Sequence, residues 1–260
     1  MRAAGICVRL GRTEVLHDVD FIARPGQLTA IAGPNGSGKT TFLRALSGEL
    51  RHGGTITLNG RDIASLRPWE LAVERAVLPQ AAQLAFPFTV IEVVRLGQGA
   101  RACATADEVP VAALARVGLA GFADRFYAEL SGGEQQRVHL ARVLTQVWQP
   151  VAAGGTPRWL LLDEPVSSLD IGHQLQVMEI ARAYARAGGG VVAVMLDLNL
   201  TAMFADRVAL FKSGRIAAEG PPRAVMREAV LSRIYGCTLR PNETPQAAIP
   251  YLLPQAAARA

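Results

Sequence analysis

A glycine-rich loop near the start of the chain constrains the fold most. Residues 33–40 read Gly-Pro-Asn-Gly-Ser-Gly-Lys-Thr and match the pattern G-x-x-x-x-G-K-[ST]. A short apolar run, 27–32, precedes the loop, and Phe42, Leu43 and Leu46 follow it at helical spacing. In a strand, glycine loop and helix of this kind, backbone N–H groups and the positive end of the helix surround phosphate oxygens. We therefore predict a nucleotide phosphate site in an α/β fold.

Individual side chains of this loop have separate chemical roles. Lys39 supplies a positive charge for the β- and γ-phosphates, and the Thr40 hydroxyl is placed to bind Mg²⁺. The residues that we assign to phosphate binding are Gly33, Pro34, Asn35, Gly36, Ser37, Gly38, Lys39, Thr40 and Thr41.

A second candidate for chemistry is the acidic end of an apolar strand. Residues 159–164 read Trp-Leu-Leu-Leu-Asp-Glu. Many strands end in acids, but in a parallel sheet this end faces the same crevice as the phosphate loop. We assign Asp163 to the metal and Glu164 to the general base that polarises an attacking water.

A third motif is the sequence Leu-Ser-Gly-Gly-Glu-Gln-Gln-Arg at 130–137. Ser131 and Glu134 form a capping box, which predicts a helix over 134–145 and is compatible with a purely structural role. Paired glycines at a helix N-terminus also expose several backbone donors, which a single phosphate loop does not need. The pattern therefore favours two half-sites for nucleotide in one chain.

Apolar patterning extends the prediction to the rest of the chain. Alternating segments predict an antiparallel β-lobe from residues 4–10, 15–23 and 55–58, and we place the strand 27–32 within that lobe. The α/β core is predicted from strands 159–163, 191–196 and 208–212 with helix 174–186, and a final strand follows the turn at Ser213 and Gly214.

Helical periodicity dominates the middle of the chain. Thr89 and Glu92 form a capping box that opens a helix over 90–96, and 109–117 is amphipathic, which predicts a helical lobe over about 86–145. We expect one domain over 1–240. Residues 241–260, rich in Pro and Ala, predict a poorly ordered tail with 251–253 docked on the domain.

Composition narrows the functional classes. The chain has 260 residues, of which 50% are apolar, enough for one large α/β domain with a smaller lobe. Its apolar runs are far shorter than the ~18 residues of a spanning helix, and no signal-peptide pattern is present, so we expect a cytoplasmic protein. The net charge of +5 is dispersed, which disfavours nucleic acid, and Cys7, Cys103 and Cys237 lack the spacing of a disulfide framework or a metal site.

In combination, the motifs resemble those of the ABC transporter ATPase family. They are the phosphate loop 33–41, Gln80 after a strand, the signature 130–137, the acidic pair Asp163-Glu164, and 168–170. The resemblance implies a P-loop NTPase ABC cassette with a RecA-like α/β core, an antiparallel β-lobe and a helical lobe. It also implies an ATPase that uses ATP and Mg²⁺.

The same resemblance implies how the half-sites work together. Ser131, Gly132 and Gly133 of one subunit would close over ATP held by the other subunit of a head-to-tail homodimer, with Gln135 and Asp170 also at the nucleotide. Gln80 would contact Mg²⁺ or water and pass the nucleotide state to a permease docked near residues 86–88.

Longer segments make the chain similar to the ATP-binding subunits of hemin importers. These are 68–90, the extended spacer 144–158, and Leu198-Asn199-Leu200 after Asp197. The resemblance implies a peripheral protein on the cytoplasmic face of the inner membrane. Its partners would be transmembrane permease subunits and, through them, a periplasmic substrate-binding protein. An importer of iron chelates or cobalamin is the alternative.

Departures from the family pattern leave further alternatives open. Leu196 stands where the family usually has a histidine, so we expect hydrolysis slower by a factor on the order of 10² to 10⁴, unless Glu164 suffices. A hydrolysis-poor ATP switch is therefore a rival, and His173 beside Asp170 is the histidine that we would test as a substitute. Val166 replaces the usual threonine with little expected effect.

Two further expectations concern base recognition and partners. No aromatic residue stands near Leu10 to stack on adenine, so we expect weak preference among nucleotide bases. A soluble ABC protein acting on ribosomes or DNA is a second rival, but those usually pair two cassettes or carry long coiled coils, and this chain has no heptad run. Haem binding by the subunit itself is not expected, since no axial-ligand arrangement is evident.

Overall fold

The computed structural model describes residues 1–80, 86–101, 108–244 and 250–257. Its strands are β1 (Arg2–Leu10), β2 (Thr13–Ile22), β3 (Leu28–Ala32), β4 (Gly53–Leu58), β5 (Arg61–Asp62), β6 (Arg75–Leu78), β7 (Trp159–Asp163), β8 (Gly190–Val194), β9 (Arg207–Lys212) and β10 (Arg215–Gly220). Its α-helices are α1 (Lys39–Leu46), α2 (Pro68–Glu74), α3 (Val90–Arg95), α4 (Glu108–Arg116), α5 (Gly132–Gln146), α6 (Ile171–Arg186), α7 (Leu198–Phe204), α8 (Pro222–Val225) and α9 (Glu228–Tyr235).

A six-stranded sheet forms the centre, in the order β10-β9-β3-β8-β7-β6. Its strands pair in parallel except β10, which is antiparallel to β9. Every residue of β3, β7 and β8 is buried, as expected for strands covered on both faces. Neighbouring residues of β3 pack into different apolar clusters, Ala30 into one and Ile31 into the other. The carboxyl ends of β3 and β7 therefore lie at one edge of a well-packed sheet.

The antiparallel sheet has the order β2-β1-β4-β5. It contains the three segments predicted for the β-lobe, but the placement of 27–32 in that lobe is wrong. Leu28–Ala32 instead pairs in parallel with β8 and β9 at the centre of the large sheet. The physical reason is that this strand has no polar alternation, which suits a strand buried on both faces and not one with a solvated face.

The helices of the middle region follow the predicted caps. α3 begins after Thr89, whose N–H donates to Glu92 Oε2 at 2.7 Å. α4 covers the predicted amphipathic stretch 109–117 except for its last residue. α5 begins at Gly132, earlier than the predicted residue 134, because Ser131 is the N-cap. α3 and α4 both pack against α5. Residues 81–85 of the hemin-importer segment and Cys103 lie outside the described residues.

The end of the described chain differs from the prediction. Residues 251–253 are not docked: Leu252 is 85% exposed, and Tyr251 and Leu253 are about half exposed. The contact with α7 is made by the following 3-10 turn, Pro254–Ala256, where Gln255 Nε2 donates to Asn199 Oδ1 at 3.3 Å. Proline at the start of this turn fixes the backbone φ there.

None of the helices in the described residues has the length and apolar character needed to span a membrane.

Candidate functional site

The glycine loop joins β3 directly to α1. Gly33 has a φ of 145°, and a Cβ there would lie 2.3 Å from the carbonyl oxygen of Phe211 on β9. Gly38 has a φ of 101° and is the N-cap of α1, where a Cβ would lie 2.8 Å from a methyl group of Leu16. Both positions require glycine, because the loop is wrapped tightly against two neighbouring strands.

Lys39 is held inside this loop. Its side chain is 6% exposed, and Nζ donates to the carbonyl oxygens of Gly33 and Pro34, each at 2.9 Å. Burial lowers the pKa of Lys39 below its ordinary value, and the carboxylates of Glu164 and Asp163 oppose that shift. The carboxylates therefore help to keep a positive charge at the centre of the loop.

Thr40 and Asp163 meet at the edge where β3 and β7 end. Thr40 Oγ1 donates to Asp163 Oδ1 at 3.1 Å. Burial raises the pKa of Asp163 above its ordinary value, and the hydrogen bond from Thr40 opposes that shift. A hydroxyl and a buried carboxylate side by side are hard oxygen donors, which suit Mg²⁺ beside a phosphate. Ser37 Oγ is also buried in the loop and has no partner among the described residues, so the polar lining fits an anionic ligand.

Glu164 lies next to this pair and is fixed by its backbone. Its φ is 50°, a region that non-glycine residues rarely occupy, and such residues cluster at functional sites. Its N–H donates to Val194 O on β8 at 3.1 Å. Its Oε2 accepts a hydrogen bond from Gln80 Nε2 at 2.9 Å, so the two residues assigned to catalysis are in direct contact.

Two neighbouring clefts open onto these side chains. The first has a volume of about 390 Å³ and is lined by Val15, Asn35, Gly36, Gly38, Lys39, Thr40, Thr41, Gln80, Glu164 and Leu196. The second has a volume of about 290 Å³ and is lined by Thr40, Leu43, Arg44, Glu49, Val77, Pro79, Gln80 and Asp163. Gln80 and Thr40 line both clefts, so the phosphate loop, the acidic strand end and Gln80 form one site.

The signature residues lie elsewhere on the chain. Ser131 Oγ accepts a hydrogen bond from the N–H of Glu134 at 3.4 Å, and Glu134 Oε2 accepts from the Ser131 N–H at 2.8 Å, which completes the predicted capping box. Gly132 would find no heavy atom within 4 Å of a Cβ, so this helix end is open to a partner. Neither cleft is lined by Ser131, Gly132 or Gly133.

The polar groups of Gln135 and Asp170 are engaged within the chain. Gln135 Nε2 donates to Tyr127 O and Leu130 O, each at 3.2 Å, and so holds the loop before α5. Asp170 caps α6 through the N–H of His173 at 2.9 Å and also contacts His173 Nδ1 at 2.8 Å. These hydrogen bonds lower the pKa of Asp170. His173 is thus paired with Asp170 and does not line either cleft.

Some contributors to the site have no signal in the sequence. Gly214 donates its N–H to Ser37 O at 3.0 Å and supports the loop from the turn after β9. Val15 lines the larger cleft from β2. Gln136 Nε2 donates to Glu164 O at 3.2 Å, a contact between residues far apart in the chain. Leu196, by contrast, was identified from the sequence: it is 44% exposed on the wall of the larger cleft, at the position where the family usually has a histidine.

Comparisons with known proteins agree with this geometry. The ABC transporter family profile matches residues 16–167. The chain is 64% identical to the hemin import ATP-binding protein HmuV of Roseobacter denitrificans, covering 99% of this chain and 98% of the relative. It is 57% identical to the protein of the same name from Rhizobium meliloti, with 99% of each chain covered.

Solved structures share the fold. The structure of an ATP-binding subunit of an ABC transporter superposes with a TM-score of 0.76 at 23% identity, covering 88% of this chain and 93% of that one. A dimeric bacterial ABC transporter cassette superposes with a TM-score of 0.73 at 25% identity, covering 85% and 98%. The fold is therefore the P-loop NTPase ABC cassette, and the chain belongs to the ABC transporter family of ATP-binding proteins.

Proposed function

We propose that this chain is the ATP-binding and ATP-hydrolysing subunit of an ABC importer that energises hemin uptake across the inner membrane. One observation supports ATP hydrolysis. At one edge of the large sheet the structure brings together four side chains, those of Lys39, Thr40, Asp163 and Glu164, and Gln80 donates a hydrogen bond to Glu164. The cargo is supported by the 64% identity, over nearly the whole chain, to a protein named for hemin import.

Binding of the nucleotide uses the loop and its neighbours. The backbone N–H groups of 35–41 and the Lys39 ammonium would hold the β- and γ-phosphates, and Thr40, Asp163 and Gln80 would hold Mg²⁺. Bound Mg²⁺ supplies positive charge that neutralises phosphate oxygens. Asp163 contributes best as the carboxylate, and its hydrogen bond from Thr40 keeps one oxygen aimed at the loop.

The proton transfer is assigned to Glu164. Its carboxylate accepts the proton of the attacking water, and it lines the same cleft as Lys39 and Thr40. One carboxylate oxygen accepts from Gln80, which leaves the second oxygen for the water. Gln80 thereby orients the base and also reaches toward the smaller cleft.

Completion of the site is assigned to a second copy of the chain. In a head-to-tail homodimer the open N-terminus of α5, with Ser131, Gly132 and Gly133, covers the γ-phosphate bound by the partner. Gln135 and Asp170 belong to this same face. Gly133 packs against the loop that leads to Asp170, since a Cβ atom added at Gly133 would lie 3.3 Å from Ser168 O.

The remaining partners follow from the importer assignment. Transmembrane permease subunits bind the dimer on the cytoplasmic face of the inner membrane, and a periplasmic substrate-binding protein acts through them. No nucleic acid is involved. We assign no role in ATP binding or hydrolysis to the surface cleft of about 980 Å³ beside α7 and α9.

A second candidate function is an ATP-dependent switch that hydrolyses poorly. The observation in its favour is Leu196, whose exposed side chain offers no hydrogen bond to the cleft that contains Glu164. In this reading ATP binding closes the dimer, and slow hydrolysis makes the closed state long-lived.

One experiment tests both proposals. The wild-type chain and the Glu164→Gln variant are purified for Mg²⁺-dependent ATPase assays and expressed in Roseobacter denitrificans whose own HmuV is deleted. We expect the wild type to hydrolyse ATP well above the variant and to restore growth on hemin as the iron source. Equal, near-zero hydrolysis by both would favour the switch. Normal hydrolysis without rescue on hemin would contradict hemin as the cargo.

A further inference from the structure

The main chain of the proposed general base is fixed from several sides. Glu164 has the left-handed φ of 50°, which an ordinary residue keeps only where its surroundings hold it. Its N–H donates a hydrogen bond to Val194 O on β8 at 3.1 Å. Its carbonyl oxygen accepts from the N–H and hydroxyl of Ser167, at 3.3 and 3.2 Å, within the same turn. Gln136 provides a donor to this carbonyl from outside the turn, at 3.2 Å.

Gln136 belongs to the signature helix. It lies in the second turn of α5, whose N-cap is Ser131, and its side chain is partly buried between that helix and Glu164. Its Oε1 atom is buried and accepts no hydrogen bond from the described residues. The reverse orientation of the amide would place two acceptor oxygens against each other, so the bond to Glu164 O sets the direction of this side chain.

The connection joins two half-sites that serve different nucleotides. Under the proposed function, the start of α5 covers ATP held by the partner, whereas Glu164 acts on ATP held by its own chain. A displacement of α5 would therefore act, through the Gln136 hydrogen bond, on the backbone that carries the Glu164 carboxylate. This coupling does not depend on the packing of α5 alone, because the Gln136 side chain donates a hydrogen bond directly to the backbone of Glu164, the proposed general base.

We infer that Gln136 is a positioning residue that couples engagement of the signature helix to the placement of the general base Glu164. This inference rests on the proposed function. It predicts that loss of the Gln136 amide lowers the catalytic rate without weakening the binding of ATP, since Gln136 lines neither cleft.

The test uses a matched pair of glutamines. Gln174 on α6 donates to Val166 O and Leu169 O, at 3.3 and 3.0 Å, in the same loop but away from Glu164. Each of the substitutions Gln136→Met and Gln174→Met removes a side-chain amide from a partly buried site. We expect Gln136→Met to lower kcat about 3- to 10-fold, the effect of one hydrogen bond, with the KM for ATP changed less than about twofold. Gln174→Met should leave kcat within about twofold of wild type.

A double variant separates positioning from a general loss of structure. If Gln136 acts through Glu164, then Gln136→Met adds no further loss in the Glu164→Gln background, measured by single-turnover hydrolysis of radiolabelled ATP. Additive losses, an unchanged kcat in Gln136→Met, or an equal loss in Gln174→Met would each overturn the inference. Wild-type hydrolysis no faster than that of Glu164→Gln would instead overturn the proposed function.

Discussion

Replacing Leu196 by histidine is the most informative change at the site. Leu196 directly precedes Asp197, the N-cap of α7, and follows Met195, whose N–H donates to Ile31 O at 2.9 Å just after the end of β8. Its side chain is 44% exposed on the wall of the cleft that also contains Lys39 and Glu164. Because nearly half of the residue is exposed to the open cleft, Leu196→His should change the free energy of unfolding by only about 1 kcal/mol or less. Any change in rate therefore reports on chemistry.

The size of the rate change follows from the hydrogen bond gained. An imidazole at this position can donate to a phosphate oxygen or to water, and a hydrogen bond to a charged group contributes about 1.5–3 kcal/mol. Partial exposure places the gain toward the lower end of that range, about 1.5–2 kcal/mol, so kcat should rise about 10- to 30-fold. The assay is Mg²⁺-dependent phosphate release at saturating ATP.

Two control variants define the outcome. Leu196→Ala removes bulk without adding a donor and should remain at the wild-type rate, whereas Leu196→His combined with Glu164→Gln should remain near the rate of Glu164→Gln. If Leu196→His is no faster than wild type and Leu196→Ala, the reasoning is refuted, because Glu164 then suffices without a second group. A gain that survives in the Glu164→Gln background would show that histidine replaces the base.

Further predictions concern the loop, a buried histidine and the nucleotide base. Gly33→Ala should abolish binding of a fluorescent ATP analogue while the fold persists by circular dichroism, because the added Cβ would lie 2.3 Å from Phe211 O; retained binding would contradict it. His139, whose Nε2 lies 2.9 Å from Tyr127 Oη, has its pKa lowered to about 4 by burial. The unfolded chain takes up this proton near pH 6.5, so the free energy of unfolding should fall by about 2 kcal/mol between pH 7.5 and 5, and by less in His139→Gln, as measured by urea titration. GTP and CTP should compete with ATP within about tenfold, since Leu10 offers no aromatic ring; strong ATP selectivity in equilibrium competition would contradict it.

The phosphate loop and the acidic strand end were predictable because their chemistry is local. Gly33 and Gly38 are glycines for backbone reasons that act over a few residues, and Lys39 begins a helix at the loop's end. The meeting of Thr40 with Asp163 needed one further rule, that parallel strands end at the same sheet edge. The capping boxes at Thr89 and Ser131 were equally readable, since each is closed by a residue three positions later.

Sheet membership was harder to predict. The strand 27–32 follows two antiparallel strands along the chain, and proximity in sequence suggested that it joins them. Its pairing with β8 and β9 depends on segments far along the chain, and only its unbroken apolar run points to burial on both faces. At residues 251–253 apolar character suggested docking, but nothing in the sequence states whether a surface is available to receive them.

Contacts between distant side chains are the part that pattern reasoning could not reach. Gln136 belongs to the signature 130–137, but the sequence gives its side chain no role beyond a place in a capped helix. Its importance depends on Glu164, whose left-handed backbone is itself invisible in the sequence, since glutamate has no preference for that region. The carbonyl oxygen of Glu164 accepts a hydrogen bond from Gln136, on the helix that carries the second half-site. The same constraint that makes Glu164 hard to predict therefore provides a physical route by which the two half-sites of one chain respond to each other.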